Sequence, residues 1–267
     1  MHASVYSALQ QLMAATAWPM TKPTGFGSFH LLWLFIVVPA AVFIAWKLRG
    51  LGEKGNRRLL IGIGLFLAVC EVYKQIFYFF YIENGSYPWG IFPFQLCSVP
   101  MYLCIIAPLL KKGKLQRGMY HFMVLFNLLG GLAAMIEISG LSHEYWTLTL
   151  HAFIWHTILL FIGLYLGFSR HTSVTKTDFK LACLTFIGLS VVAFSINVVI
   201  GQILGHEGIN MFFVGPENSP LVIFEDIAER FGWYVSTLLY IPVVCLGAGV
   251  IYLPFSYFKK KAKVAVK

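Results

Sequence analysis

Cys97 is the residue of this chain whose type and setting best suit nucleophilic chemistry. It lies in the stretch PFQLCSVPMYLC at 93–104, just after a rigid aromatic approach. A thiol becomes a useful nucleophile as its thiolate, and an adjacent imidazole can take the proton. His156 or His151 could serve as that base and then as general acid toward a leaving group. Attack of Cys97 on a carbonyl carbon would give a thioester, so the chemistry expected is acyl transfer.

Further polar side chains lie inside apolar runs, where ionisable groups are costly and often mark function. Glu71 and Lys74 are three residues apart, so they share a helix face and could pair. At ~1.5 Å rise per residue, the polar groups of four runs fall in the same half of a bilayer. A site opening toward that side is therefore expected, and Gln95, Asn197 or Lys74 could stabilise an oxyanion there.

Each of these residues also has a structural interpretation. A cysteine within a membrane is usually a small apolar filler, and this applies most readily to Cys104, Cys183 and Cys245. Glu71 and Lys74 could simply tether one helix, while buried histidines and asparagines often bond across helices. Spacing alone does not establish that Cys97 and His156 meet.

The elements that must position these residues are membrane helices. The chain is 58% hydrophobic and 12% charged, whereas a soluble domain carries about 25% charged residues. Several apolar runs reach the ~20 residues that span a bilayer. The sequence predicts an all-α polytopic membrane protein, residues 1–267 forming a single seven-helix transmembrane domain. The predicted helices are 29–48, 59–81, 93–110, 118–137, 147–168, 181–204 and 233–258.

Charge distribution predicts the orientation of this bundle. Of the 20 Lys and Arg residues, 17 fall in loops or a tail on one side, against Lys22 and Arg230 on the other. This positive-inside bias predicts an outside N-terminus and a cytoplasmic C-terminus in a multi-pass protein of the cell membrane. Because the basic residues act as topology signals, no nucleic-acid partner is expected despite the net charge of +9.

The sequence indicates neither a metal nor a cofactor. The five cysteines show no CxxC spacing, and no phosphate loop or haem pattern is present. His151 and His156 are five residues apart, which puts them well off a shared helix face and makes them a poor metal pair.

Four segments carry a resemblance to a known family. PFQLCSVPMYL at 93–103, NLLGGLAAMI at 127–136, HAFIWHTILLFIGLYL at 151–166 and GINMFFVGPENSPL at 208–221 resemble the YwaF-like integral membrane proteins. That family is similar to mammalian transmembrane protein 164, described as a cysteine-dependent acyltransferase acting between phospholipids. It is also related in fold to lipid hydrolases that use a Thr–His pair.

The resemblance implies roles for individual residues. The nucleophile falls on Cys97 and the family histidine on His156, with His151 the poorer match. Asn210 falls on a family position of unknown role. Many members have a histidine where this chain has Gln95, which can exchange hydrogen bonds but cannot act as a base.

The function expected is that of a membrane lipid acyltransferase or acyl hydrolase with an acyl-Cys97 intermediate and His156 as base. Its partners would be membrane phospholipids or lysophospholipids, and no cofactor is expected. A transporter or small-molecule receptor is the alternative, with the same polar residues lining a cavity. A structural membrane subunit is a third interpretation, and the sequence leaves the oligomeric state open.

Overall fold

The protein is an all-α structure, as its apolar runs predict. A computed structural model describes residues 2–217, 219 and 221–264, and the chain is 76% helical with no strand in that part. Lys267 of the predicted basic tail lies outside the described residues. An isolated antiparallel bridge joins Pro19 to Tyr145.

Nine helices succeed one another through the described ranges. Their bounds are α1 His2–Ala14, α2 Ser28–Leu48, α3 Glu53–Ile82, α4 Val99–Leu109, α5 Lys114–Ile136, α6 Trp146–Phe168, α7 Lys176–Ile203, α8 Val222–Phe231 and α9 Trp233–Val264. Six of them are long and apolar enough to cross a bilayer, namely α2, α3, α5, α6, α7 and α9. The membrane-protein class is thereby confirmed, while a count of seven spans stays a prediction.

The third predicted span differs most from the observed structure. A helix was expected over 93–110, but α4 begins only at Val99 and ends at Leu109. Proline explains the late start, because Pro100 would interrupt a helix that began at residue 93, whereas it fits the first turn of a helix that begins at Val99. At ~1.5 Å per residue α4 is about 16 Å long, which is shorter than a bilayer core. Cys97 therefore lies in the turn before the helix rather than one turn inside it.

Two other spans begin earlier than their apolar runs do. Helix α3 starts at Glu53, six residues before the predicted Leu59, because its first turns are helical although they are polar. Helix α7 starts at Lys176 behind a capping box, in which the Thr175 hydroxyl and Asp178 carboxylate bond each other's backbone N–H groups.

The loops gather at two ends of the bundle. We call the end whose loops carry most of the Lys and Arg residues the basic end, and the other the opposite end. At the basic end, His171 Nε2 lies 2.9 Å from the Leu51 carbonyl oxygen, and Lys112 pairs with Glu53. At the opposite end, the Trp89 and His206 rings stack at 4.5 Å. This arrangement agrees with the segregation of charges in the sequence, and the direction in which the bundle spans a membrane stays a prediction.

Helix α5 occupies the middle of the bundle and packs against α6 and α7. Its residues from Phe122 to Leu125 are fully buried on all sides. A helix that is apolar all round belongs at the centre of a bundle, so the other spans are arranged about this one. That residues 1–267 form a single domain stays a prediction.

Candidate active site

Cys97 is fixed by a contact between the turn before α4 and helix α6. Its carbonyl oxygen accepts a hydrogen bond from Trp155 Nε1 over 2.8 Å, and Trp155 is itself 4% exposed. The Cys97 thiol is partly buried and hydrogen-bonds with the neighbouring Ser98 side chain.

Glu71 and Lys74 form the ion pair that their spacing predicts. Lys74 Nζ lies 2.8 Å from Glu71 Oε1, and the two side chains are 19% and 5% exposed. Burial has the largest effect on the Cys97 thiol and raises its pKa, whereas Lys74 lowers that pKa by more than Glu71 raises it. Because a cation stabilises a thiolate, Lys74 is the group that most favours ionisation of Cys97.

A hydrogen-bond network ties the approach to Cys97 onto α3. Gln75 Nε2 donates to Glu71 Oε1 over 2.6 Å and to the Ile91 carbonyl oxygen over 2.8 Å. The Tyr87 hydroxyl donates to Gln75 Oε1 over 2.7 Å. Burial, and then the charge of Glu71, raise the pKa of Tyr87, so this phenol stays protonated and keeps donating. The loop that leads to Cys97 is therefore held on the same helix as the ion pair.

His151 is brought into this cluster through Trp155. The two rings stack with centroids 5.3 Å apart, as their i, i+4 spacing on α6 allows. His151 also feels the charge of Lys74 and lies against the Cys70 backbone, one residue before Glu71. Trp155 and Lys74 are thus shared neighbours of His151 and Cys97.

His156 lies on a different face of α6. It follows Trp155 by one residue, which is a rotation of about 100° around the helix. Its Nδ1 lies 2.8 Å from the Ala152 carbonyl oxygen. A carbonyl can only accept, so Nδ1 carries the proton and Nε2 is the basic nitrogen. The contacts of Trp155 and Lys74 connect Cys97 with His151, and neither connects it with His156.

Asn197 clamps a loop of the opposite end. Its Nδ2 donates to the Met211 and Val214 carbonyl oxygens over 3.0 and 2.6 Å, and Met211 N donates to its Oδ1 over 2.7 Å. The amide is thereby saturated by backbone. It holds a loop in which Phe212 and Phe213 adopt positive φ, a strained conformation for these residue types.

Gln95 joins the same loop to the approach to Cys97. Its Nε2 lies 3.3 Å from the Gly90 carbonyl oxygen and 3.4 Å from that of Asn210. The Phe94 and Phe212 rings stack at 5.9 Å beside this contact. Gln95, Asn197 and Asn210 therefore support the loops around the cluster, while Glu71 and Lys74 act electrostatically on Cys97.

Two polar atoms of the cluster are buried without a partner. Within the described part of the chain, Glu71 Oε2 and His151 Nε2 have no hydrogen-bond partner. Such groups cost about 1–3 kcal/mol each unless something satisfies them. A cavity of about 270 Å³ opens between α3 and α4, lined by Glu71, Gln75 and apolar side chains such as Met101. A bound molecule that offers a hydroxyl group there could donate to Glu71 Oε2.

The sequence did not single out Trp155, Gln75 or Tyr87. A tryptophan in an apolar run is the ordinary pattern of a membrane helix, so nothing distinguished Trp155. Gln75 had a usable signal, since it follows Glu71 by four residues and shares its face. Over the described residues, no group of three or more His, Cys, Asp or Glu side chains could hold a metal ion.

The fold and this cluster define a multi-pass α-helical membrane protein with a thiol among buried polar groups. The TMEM164 family model matches residues 25–252, and the chain belongs to the TMEM164 family. Comparisons with curated proteins and with solved structures find no match. The narrower resemblance to YwaF-like proteins stays a prediction.

Proposed function

We propose that this protein transfers or hydrolyses the acyl chains of membrane phospholipids through an acyl-Cys97 intermediate. The observation that carries the proposal is the pair of buried, unpartnered atoms, Glu71 Oε2 and His151 Nε2. Lys74 pairs with Glu71 and acts electrostatically on both His151 and Cys97. A site with unsatisfied polar atoms, a cation and a thiol suits an ester substrate. Membership of the TMEM164 family is compatible with a lipid substrate.

The first half-reaction forms a thioester. A histidine removes the Cys97 proton, and the thiolate attacks the ester carbonyl of a phospholipid. The tetrahedral intermediate collapses as the carbon–oxygen bond breaks, and the histidine returns its proton to the departing lysophospholipid oxygen. His151 is the stronger candidate for this base because it shares Trp155 and Lys74 with Cys97, and His156 is the second candidate.

The second half-reaction releases the acyl chain. The hydroxyl of a lysophospholipid, or water, gives its proton to the histidine and attacks the thioester carbonyl. The carbon–sulfur bond breaks, and the Cys97 thiolate regains its proton. Lys74 is the best candidate to stabilise the oxyanion of both steps, because the Gln95 and Asn197 amides already bond backbone groups.

The proposed setting is the cell membrane, with seven spans, an outside N-terminus and a cytoplasmic C-terminus. The alternative function, a transporter or small-molecule receptor, would use the same unpartnered atoms to hold a polar ligand. The two proposals differ in whether the Cys97 sulfur becomes covalently acylated.

Acyl exchange in nanodiscs tests the proposal. Purified protein would be given a phosphatidylcholine with one isotope-labelled acyl chain together with a lysophospholipid, and both lipids and intact protein would be measured by mass spectrometry. We expect label in the lysophospholipid or as free fatty acid, and a hydroxylamine-sensitive mass increase on Cys97. Cys97→Ser should abolish both signals, whereas Cys245→Ser should keep them. Equal exchange by Cys97→Ser and wild type would overturn the mechanism, and tight binding without acylation would favour the receptor.

A further inference from the structure

A second, larger cavity lies at the basic end of the bundle, away from Cys97. It has a volume of about 1120 Å³ and lies among the ends of α2, α6 and α9 and the start of α5. Small-molecule sites typically have volumes of about 300–1,000 Å³, so this cavity is large enough for a lipid headgroup and the adjoining parts of its chains. The proposed acyl chemistry does not use it.

Four cations line this cavity, and two of them are already engaged. Arg117 donates from Nε over 3.0 Å to Oδ1 of the fully buried Asp178. Lys259 Nζ donates to the Ser169 and Thr172 carbonyl oxygens over 2.6 Å each, which caps the end of α6. These two residues build the wall of the cavity.

The other two cations are Arg49 and Arg170. Across the described ranges, no carboxylate lies within ion-pair distance of either guanidinium. Arg49 donates to the Trp46 carbonyl oxygen and lies 4.0 Å over the Trp46 ring, which orients it at the rim. A planar guanidinium held in this way presents its remaining N–H groups for bidentate bonds to a phosphate.

The rest of the lining is mixed, with two histidines and three hydroxyl side chains beside an aromatic wall. That aromatic wall is formed by Trp46, Phe168, Phe255 and Phe258, which all lie near the ends of membrane helices. A wall of this kind suits hydrocarbon and would leave a fully hydrated ion in poor contact. The cavity therefore combines phosphate-binding groups with a surface for acyl chains.

We propose that this cavity binds the phosphate group of an anionic phospholipid, held by Arg49 and Arg170 with its chains against the aromatic wall. Basic pockets between membrane helices on the cytoplasmic side are typical sites for anionic headgroups. The shared chemistry is a phosphate group, which a soluble phosphate ester also offers. The apolar wall favours the lipid over that source.

Native mass spectrometry of the detergent-solubilised protein tests this inference with dioleoyl phosphatidylglycerol as the probe. We expect Arg49→Gln/Arg170→Gln to weaken phosphatidylglycerol binding by about 30-fold, since each cation near a membrane surface contributes about fivefold to the affinity. Lys176→Gln/Lys180→Gln removes the same charge from exposed positions of α7 outside the cavity and should change binding less than threefold. Arg49→Lys/Arg170→Lys keeps the charge and should recover part of the affinity.

A glycerol 3-phosphate arm distinguishes the two sources of phosphate. If glycerol 3-phosphate fails to displace the lipid, the ligand is a phospholipid, and if it binds with the same dependence on Arg49 and Arg170, the site takes soluble phosphate esters. If Arg49→Gln/Arg170→Gln and Lys176→Gln/Lys180→Gln weaken binding equally, the proposed site is overturned, because the result would show a general effect of surface charge. Failure of both probes to bind the wild-type protein would overturn it as well.

Discussion

Trp155 holds the Cys97 backbone with its indole nitrogen and stacks its ring on His151. The hydrogen bond from Nε1 to the Cys97 carbonyl oxygen measures 2.8 Å, and the ring centroids of Trp155 and His151 lie 5.3 Å apart. One side chain of α6 therefore contacts both the Cys97 backbone and the His151 ring. If the protein is an acyl-transfer enzyme, Trp155 is a positioning residue.

Trp155→Phe is the first test of that role. A smaller aromatic ring replaces the indole, so one hydrogen bond and some buried volume are lost, and the unfolding free energy should fall by about 1–3 kcal/mol. Acyl exchange should fall much further, by about 100-fold, because small displacements of reacting groups have effects of that size. Both quantities would be measured on the same nanodisc preparation.

Trp33→Phe is the matched control for this variant. Trp33 Nε1 donates to Thr157 Oγ1 over 2.8 Å at a buried site away from Cys97. Its loss should lower stability by a similar amount and leave acyl exchange within threefold of wild type. Equal activities for the two variants would contradict a positioning role for Trp155.

Breaking the Glu71–Lys74 pair should destabilise the folded protein strongly, whereas replacing both residues by apolar ones should not. Glu71→Leu leaves the Lys74 ammonium unpaired in a buried position, and we expect a loss of about 3–5 kcal/mol. Glu71→Leu/Lys74→Met removes both charges and should recover most of that stability. Thermal unfolding in detergent measures both effects, and a double variant as unstable as the single one would show that the pair itself is not responsible.

Asn197→Leu should release the loop that carries Met211 and Val214. Three hydrogen bonds of about 1 kcal/mol each are lost, and the loop should become cleavable by protease within the folded protein. Ser195→Ala, on the same helix, removes only a bond to the Val191 carbonyl oxygen and should leave the loop protected. Protection of the loop in Asn197→Leu would contradict the clamp.

Gly64 and Gly62 provide a test of the contact between α3 and α4. A Cβ at Gly64 would lie 2.6 Å from Ile105 Cγ1 and 2.9 Å from the Met101 carbonyl oxygen, whereas one at Gly62 meets nothing within 4 Å. Gly64→Ala should therefore cost about 1–3 kcal/mol by forcing the helices apart. Gly62→Ala should be neutral or gain about 0.5–1 kcal/mol. The order of their unfolding temperatures checks the contact.

Much of the fold could be predicted because long apolar runs report directly on membrane helices. Helix ends were harder, since the polar first turns of α3 carry no hydropathy signal. The start of α7 was readable, because Thr175 and Asp178 have the spacing of a capping box. The break before Val99 depends on Pro100, which fits a first turn but not the interior of a helix, and hydropathy does not register that difference.

The residues of the candidate site could be predicted better than the contacts between them. Depth along the helices put Glu71, Lys74, Cys97 and both histidines of α6 in the same half of the membrane. In the structure Lys74 pairs with Glu71 and acts electrostatically on Cys97 and His151. The choice between His151 and His156 could not be made from spacing, because it depends on which face of α6 turns toward α3 and the turn before α4. Asn197 and Gln95 looked like site ligands, but their amides bond backbone groups.

Thiol alkylation at Cys97 is the most direct test of the central claim. Purified protein would be treated with iodoacetamide across pH 6–9, and modification of each of the five cysteines would be followed by peptide mass spectrometry in wild type, His151→Gln, His156→Gln and Lys74→Met. We expect Cys97 to react at least tenfold faster than the other four at neutral pH. That advantage should disappear in His151→Gln and Lys74→Met and persist in His156→Gln. Slow, equal labelling of all five cysteines, unchanged by any of these substitutions, would contradict an activated thiol and with it the proposed acyl transfer.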